Sequence, residues 1–236
     1  MPLPKIQHQL YEFVVPSTGK KETFRPFLVK EEKILLTAKA SDDPADTLRA
    51  VKQIINNCAT STEFDVDKLA IFDIEYLFLQ LRSVSVSNIV EVSYRDTEDQ
   101  QIYNFTIDLR AVNVQYPEKV EKIIKVTDTL GIVMKWPAAS LFDDKNYLNS
   151  GDQAFYELIL RCIDKIYNGD DIYDPSDYTG QELESFLDDC GVVTFDKIKE
   201  FMLSTPKLYH KLTYTNSNGN ERVIELTGLA DFFTLR

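Results

Sequence analysis

Residues 170–190 read DDIYDPSDYTGQELESFLDDC and hold eight Asp and Glu with no Lys or Arg. So dense a run of carboxylates raises calcium chemistry. An EF-hand loop needs oxygen ligands at its first, third and fifth positions, a Gly at the sixth and a Glu at the twelfth. Starting at Asp170, Asp171, Asp174 or Asp177, no alignment satisfies that pattern. Thr179 and Glu182 instead stand three apart just ahead of Leu183, Phe186, Leu187 and Cys190, a capping box opening an amphipathic helix. Acids near that N-terminus complement the helix dipole. The stretch is therefore expected to be a wet turn and the polar side of a helix, with a weak adventitious cation site as the alternative.

Other residues of catalytic type lack a partner at useful spacing. His8 and His210 are the two imidazoles, and no G-x-S-x-G, H-E-x-x-H or Cys/His signature accompanies them. Residues 17–21, STGKK, resemble a phosphate loop but lack its first Gly and the hydroxyl residue after Lys, so they read as a turn. Asp143–Asp144 and Asp188–Asp189 are sequence neighbours, which do not face one another on a helix. A glycosidase needs two acids at a defined separation across a cleft, and among 38 acids adjacency is no sign of that. Cys58, Cys162 and Cys190 are widely spaced and odd in number, which suits free core thiols better than a disulfide framework or a zinc site. No catalytic residue, cofactor or metal is expected.

With 236 residues, 44% apolar and 27% charged, the chain can fold around one large core or two modest ones. A net charge of −12 disfavours nucleic acid and anionic membrane surfaces, both of which demand clustered Lys and Arg. No apolar stretch approaches the roughly 20 residues of a membrane span, and MPLPKIQHQ lacks the apolar core of a signal peptide. The expectation is a protein that stays where it is made.

The elements that must position these residues alternate between two periods. QLYEFVV and KETFRPFL flank PSTGK and read as a hairpin. Ile34, Leu35 and Ala38 mark one helix face; Asp43-Pro44 starts a second helix, with Leu48, Val51, Ile55 and Cys58 as its stripe. Residues 69–83, LAIFDIEYLFLQLRS, are apolar all round the wheel and read as a central buried helix, a pair of buried strands being the alternative. IVEVSYRDTEDQQIYNFTIDL is a hairpin with a charged tip, and KVEKIIKVTD and GIVMKWP continue the β character. A helix is expected from about Asp152, with Ser150 and Gln153 as a capping box and Phe155, Leu158, Ile159, Cys162 and Ile166 inward. Phe195, Ile198 and Met202 mark a short helix ending at Thr205-Pro206, followed by a hairpin in KLTYTNSNGNERVIEL. The fold class is α+β: a mixed helical body with antiparallel hairpins at the N-terminus, middle and C-terminus. Segments 1–88, 89–136 and 137–236 are expected to form one compact unit.

Taken in order, RPFLVKEEKILLTA, VKQIINNC, FDVDKLAIFDIEYLFLQLRSVSVSNIVEV, STPKLYHKLTY and LTGLADFF resemble the T4-type bacteriophage baseplate hub family over about Lys20 to Phe233. The closest pieces are FLVKEEK at 27–33, FDIEYL at 72–77 and TPKL at 205–208. The resemblance implies a structural or assembly component of a contractile-tail baseplate hub, located in the virion and assembled in the host cytoplasm. Its partners would be other baseplate or tail proteins, self-association within the assembly staying open. A transient hub assembly factor absent from the finished particle is the alternative, and a cell-wall hydrolase a distant third. Some relatives carry cysteine pairs at the two hairpin tips, where four thiolates could hold zinc; here the tips are RDTEDQQ and TNSNGNE. If these arms are paired, side chains and strands must hold them. Tyr209, Tyr214, Leu229, Phe232 and Phe233 are the interface candidates, the apolar end docking on a partner subunit or capping the protein's own core.

Overall fold

The structure is a computed structural model that describes residues 6–41, 44–143 and 154–232. In chain order, strands β1 (Tyr11–Val14) and β2 (Lys21–Phe24) precede helices α1 (Val29–Lys39), α2 (Pro44–Cys58) and α3 (Ile71–Ser85). Strands β3 (Ile89–Arg95), β4 (Ile102–Asp108), β5 (Asn113–Gln115), β6 (Ile123–Lys125) and β7 (Leu130–Met134) follow. Helix α4 (Ala154–Arg161) leads to β8 (Ile163–Asn168) and β9 (Asp171–Tyr173), then to α5 (Gly180–Asp188) and α6 (Val192–Leu203). Strands β10 (Lys207–Thr215) and β11 (Glu221–Leu226) and a 3-10 turn at Leu229–Phe232 complete the α+β fold. All strand pairings are antiparallel. These elements group into two compact units, one of Met1–Gln115 with Lys207–Arg236 and one of Tyr116–Pro206.

In the first unit, the arm unit, α3 is buried on every side: Phe72, Asp73, Ile74, Leu77, Phe78, Leu79, Gln80 and Leu81 are all inside. All-round burial is what an apolar wheel demands, so the helical reading holds over the pair of strands. Asp73 secures its start by accepting from Ala70 N at 3.0 Å and from Ser17 N, in the β1–β2 turn, at 2.8 Å. The STGKK stretch is thus a turn tied to a helix N-terminus, and Gly19 takes the left-handed φ of 69° that the turn requires. Helix α2 buries Val51, Ile54, Ile55 and Cys58; the residue expected to cap it, Asp43, lies outside the described residues. Glu31 is buried in the first turn of α1, where Arg25 grips both carboxylate oxygens at 2.8 and 3.1 Å and Leu28 N donates at 3.0 Å. A buried carboxylate is tolerated when so fully matched.

The second unit, the insert unit, is built on a sheet ordered β6-β7-β8-β9. Here one expectation is corrected. The helix with the Phe155 stripe ends at Arg161, and Ile166 lies in β8 opposite Ile132 rather than on that helix. In IDKIYN the two isoleucines are buried at Ile163 and Ile166, a three-residue spacing that imitates a continuing helix. Pairing with β7 decides the outcome, because strand preference depends on tertiary neighbours. The Ser150–Gln153 capping box falls outside the described residues. Trp136 stacks on Phe201 at 4.3 Å, and Ile198, Phe201 and Met202 turn inward from α6. Gly131 is pressed by Tyr167 across the β7–β8 pair: a Cβ there would sit 2.3 Å from the phenol oxygen. No helix among the described residues is long and apolar enough to cross a membrane.

Candidate interaction site: two clasped hairpins

The arm unit's second core runs from α3 into two hairpins. Leu79 shares one buried cluster with Val92, Ile107, Leu109, Val112, Leu208, Ile224, Leu226 and Phe232, and Tyr94, Phe105, Leu212 and Tyr214 pack against that cluster. Alternation generates this arrangement: residues two apart on β3, β4, β10 and β11 share one face, and the apolar faces of both hairpins turn to the same core. The Tyr214 ring lies 4.6 Å from Tyr103, 5.3 Å from Phe105 and 6.5 Å from Tyr94, extending the apolar contact toward the tips.

Beyond the aromatic group a polar clasp joins the two tips. The Tyr214 hydroxyl donates to Asp96, which is fully buried and also faces the Arg222 guanidinium at 3.3 Å. Glu98 accepts from Asn216 Nδ2 at 3.0 Å, from Asn220 Nδ2 and from Arg222 at 3.2 Å. Asp99 accepts from Ser217 Oγ at 2.7 Å and Ser217 N at 2.9 Å, while the Tyr103 hydroxyl donates to it at 2.6 Å. Left-handed Gln100, at φ 62°, and Gly219, at φ 82°, turn the two loops. The arms are therefore paired by side chains, at the tips where the sequence offers no thiolate.

The electrostatics follow from these contacts. The Tyr214 hydrogen bond, assisted by Glu98 N and Arg222, holds the Asp96 carboxyl below its ordinary range against a cost of burial. Burial opposes ionisation of Asp99, yet donors from Tyr103, Gln101 and Ser217 outweigh it and keep the group well below the usual carboxylate range. Burial and then the bond to Asp96 push the Tyr214 phenol up to about 12. At neutral pH the clasp is a set of carboxylates answered by neutral phenols, amides and one guanidinium. It is a structural lock with its hydrogen-bonding capacity turned inward.

The candidate residues fall into different settings. Tyr209 is half-buried on β10 opposite Asn113 and donates to Glu225 at 3.0 Å. Tyr214 belongs to the clasp. Leu229 packs against the core cluster, its N–H given to Glu75 at 3.2 Å, and Phe232 is 1% exposed within that cluster. The 3-10 turn pinned by Asp231 on Thr227 N folds Phe232 inward. Phe233 lies outside the described residues. Sequence reasoning missed Asp96, Glu98, Asp99, Asn216 and Arg222 as partners; charged and amide tips on two neighbouring hairpins were the available signal.

Elsewhere the ingredients of catalysis are muted. Burial pushes the Cys58 thiol up to about 11 and Cys162 to about 12, and it lowers His210. Neither thiol is a ready nucleophile. The capping box predicted at Thr179 and Glu182 is present, Thr179 N donating at 2.8 Å and Glu182 N returning to Thr179 Oγ1 at 3.3 Å. The acidic run departs from a plain turn in one respect, since Asp171–Tyr173 pair with β8 as the last strand of their sheet.

Compared with known proteins, residues 8–234 match the model of one family, described as T4 bacteriophage base plate protein. No curated protein and no solved structure matches.

Proposed function

This chain belongs to the T4 bacteriophage base plate protein family, and from that premise we propose that it is a structural subunit of the baseplate hub. Membership carries a structural role in the phage tail baseplate and contact with other tail and baseplate proteins. The hub assignment is supported by the runs at 27–33, 72–77 and 205–208. In this reading the protein works by presenting shaped surfaces after assembly in the host cytoplasm, and it makes or breaks no covalent bond. The observation that carries the reading is the clasp, which ties two hairpins into one element and engages every acid at the β3–β4 tip. A stiff element is suited to docking because little conformational freedom remains to be lost on binding. The outer faces supply contact area: Ile89, Ile102 and Val223 are exposed there.

Mass spectrometry of purified particles tests this. Peptides of the chain in a fixed ratio to other baseplate proteins are expected. Their absence from finished particles, with defective hubs when the gene is removed, overturns retention and favours a transient assembly factor. Peptidoglycan incubated with the purified protein is expected to remain intact, and its cleavage would overturn the non-enzymatic reading.

A further inference from the structure

Strand β9 ends the insert unit's sheet. It pairs with β8 through Ile166↔Tyr173, Tyr167↔Ile172 and Asn168↔Asp171, and its other edge has no partner strand among the described residues. All three of its residues are exposed, Ile172 at 68%. The neighbour that should cover Ile172 on its face is Tyr167, but that ring is drawn the other way, over Gly131 on β7. An apolar β-branched side chain is thus left bare at an open edge, which is a liability unless something covers it.

The flanks of that edge are shaped. Asp174 accepts from Ser176 N at 2.9 Å and Ser176 Oγ at 2.7 Å, which sets the 3-10 turn Pro175–Asp177. The turn brings the Tyr178 ring back to 6.5 Å from Tyr173, both rings exposed. Asp170, Asp171, Asp174 and Asp177 flank Ile172 and Tyr173 along the chain, and no Lys or Arg occurs from residue 170 to residue 190. Lys135 and Lys165 are the positive charges that reach Asp174. The unit as a whole is acidic, with eighteen Asp and Glu against nine Lys and Arg in 116–206.

We infer that the free edge of β9 accepts an added strand from a partner subunit whose segment alternates basic and apolar residues. The inference rests on the reading of the chain as a baseplate component that works by contact, and it adds where one contact lies and what chemistry it takes. Main-chain hydrogen bonds would supply affinity, and alternate side chains specificity: apolar ones on the face of Ile172, and Lys or Arg on the opposite face, where Asp171 and Tyr173 lie. A second copy of this chain is the wrong occupant, because edge-to-edge pairing would set the same aspartates against each other. The acids therefore exclude self-pairing while they attract a basic strand, which separates this surface from an edge merely guarded against aggregation.

The test uses the full chain, isotope-labelled, and a synthetic nine-residue peptide of alternating Lys and Val. Amide shifts confined to 165–178 are expected, with affinity that falls as salt rises. The same peptide N-methylated at alternate bonds keeps its charge but loses strand donors, and is expected to bind at least tenfold more weakly. Ile172→Lys is expected to weaken the unmodified peptide by a similar factor. The pair Asp170→Lys and Asp171→Lys, which leaves Ile172 and Tyr173 in place, should transfer preference to a Glu–Val peptide. Equal binding of the N-methylated peptide, shifts located elsewhere, no binding at all, or a dimer formed through residues 170–178 overturns the inference. None of those results bears on whether the chain is found in particles, so the baseplate reading stands or falls separately.

Discussion

At the tip of the β3–β4 hairpin, Asp96, Glu98 and Asp99 each meet donors from the opposite hairpin. Around β9, Asp170, Asp171 and Asp177 face solvent from an open strand edge. The two regions carry similar residues and treat them differently. The arm unit is nearly neutral, with twenty Asp and Glu against seventeen Lys and Arg, whereas the insert unit carries nine of the twelve excess negative charges. A carboxylate matched inside the molecule contributes to shape, and one left in water contributes to a field that a partner can sense. The contrast places matched carboxylates, which set shape, in one unit and most of the exposed negative field in the other.

Substitutions can break the contrast, and the largest effect is expected from the core beneath the clasp. Phe232→Ala should cost about 3–5 kcal/mol of stability by leaving a cavity in the cluster around Leu79. Chemical denaturation measures it; a variant of unchanged stability that fails to join particles would return Phe232 to the interface. In the insert unit, Gly131→Ala drives a methyl into the Tyr167 ring and should cost about 1–3 kcal/mol, or force that ring toward Ile172. Removing the cap with Thr179→Ala should cost about 1 kcal/mol and fray α5 in hydrogen exchange, without touching the arms.

The clasp itself is expected to give the smallest global effect and the most local one. Tyr214→Phe should lower Tm by roughly 2–4 °C and speed hydrogen exchange at both tips together. Its pH dependence has two limits. Asp96 and Asp99 have folded pKa values below their ordinary ones, so their contribution is full above about pH 4 and is lost as pH falls further. Tyr214 is raised, so the neutral phenol's contribution is full below about pH 10 and is lost as pH climbs toward about 12. Tip protection, taken relative to intrinsic amide exchange, that stays flat from pH 7 down to pH 2 would show that the carboxylates do not hold the arms.

Local and short-range features were legible in the sequence. The apolar wheel read over residues 69–83, found as a helix at Ile71–Ser85, and the Thr179–Glu182 box each depend on neighbours within a turn, and alternation with polar tips marked the hairpins. What escaped depends on distant residues. Asp96 and Tyr214 are 118 positions apart, and a tip reading DTED looks solvated until another hairpin arrives. Ile166 kept a helical spacing that only β7 could override, and β5 and β9 are three-residue strands too short to carry a period of their own. Phe232 lay in a terminal apolar run equally suited to inside or outside; the difference was made by the fold of the preceding turn.

Gln115 and Lys207 face each other as register partners at the β5–β10 pair. Ninety-one residues therefore leave the arm unit and return to it across a single rung of ladder. On the ribosome, β3 and β4 must wait with their inner faces uncovered until everything from 116 to 206 has emerged, and only then can β10 and β11 close over them. The order of synthesis thus makes the arms the last part of the molecule to mature, and a nascent chain stalled before residue 207 would present Val92, Phe105 and Ile107 to chaperones.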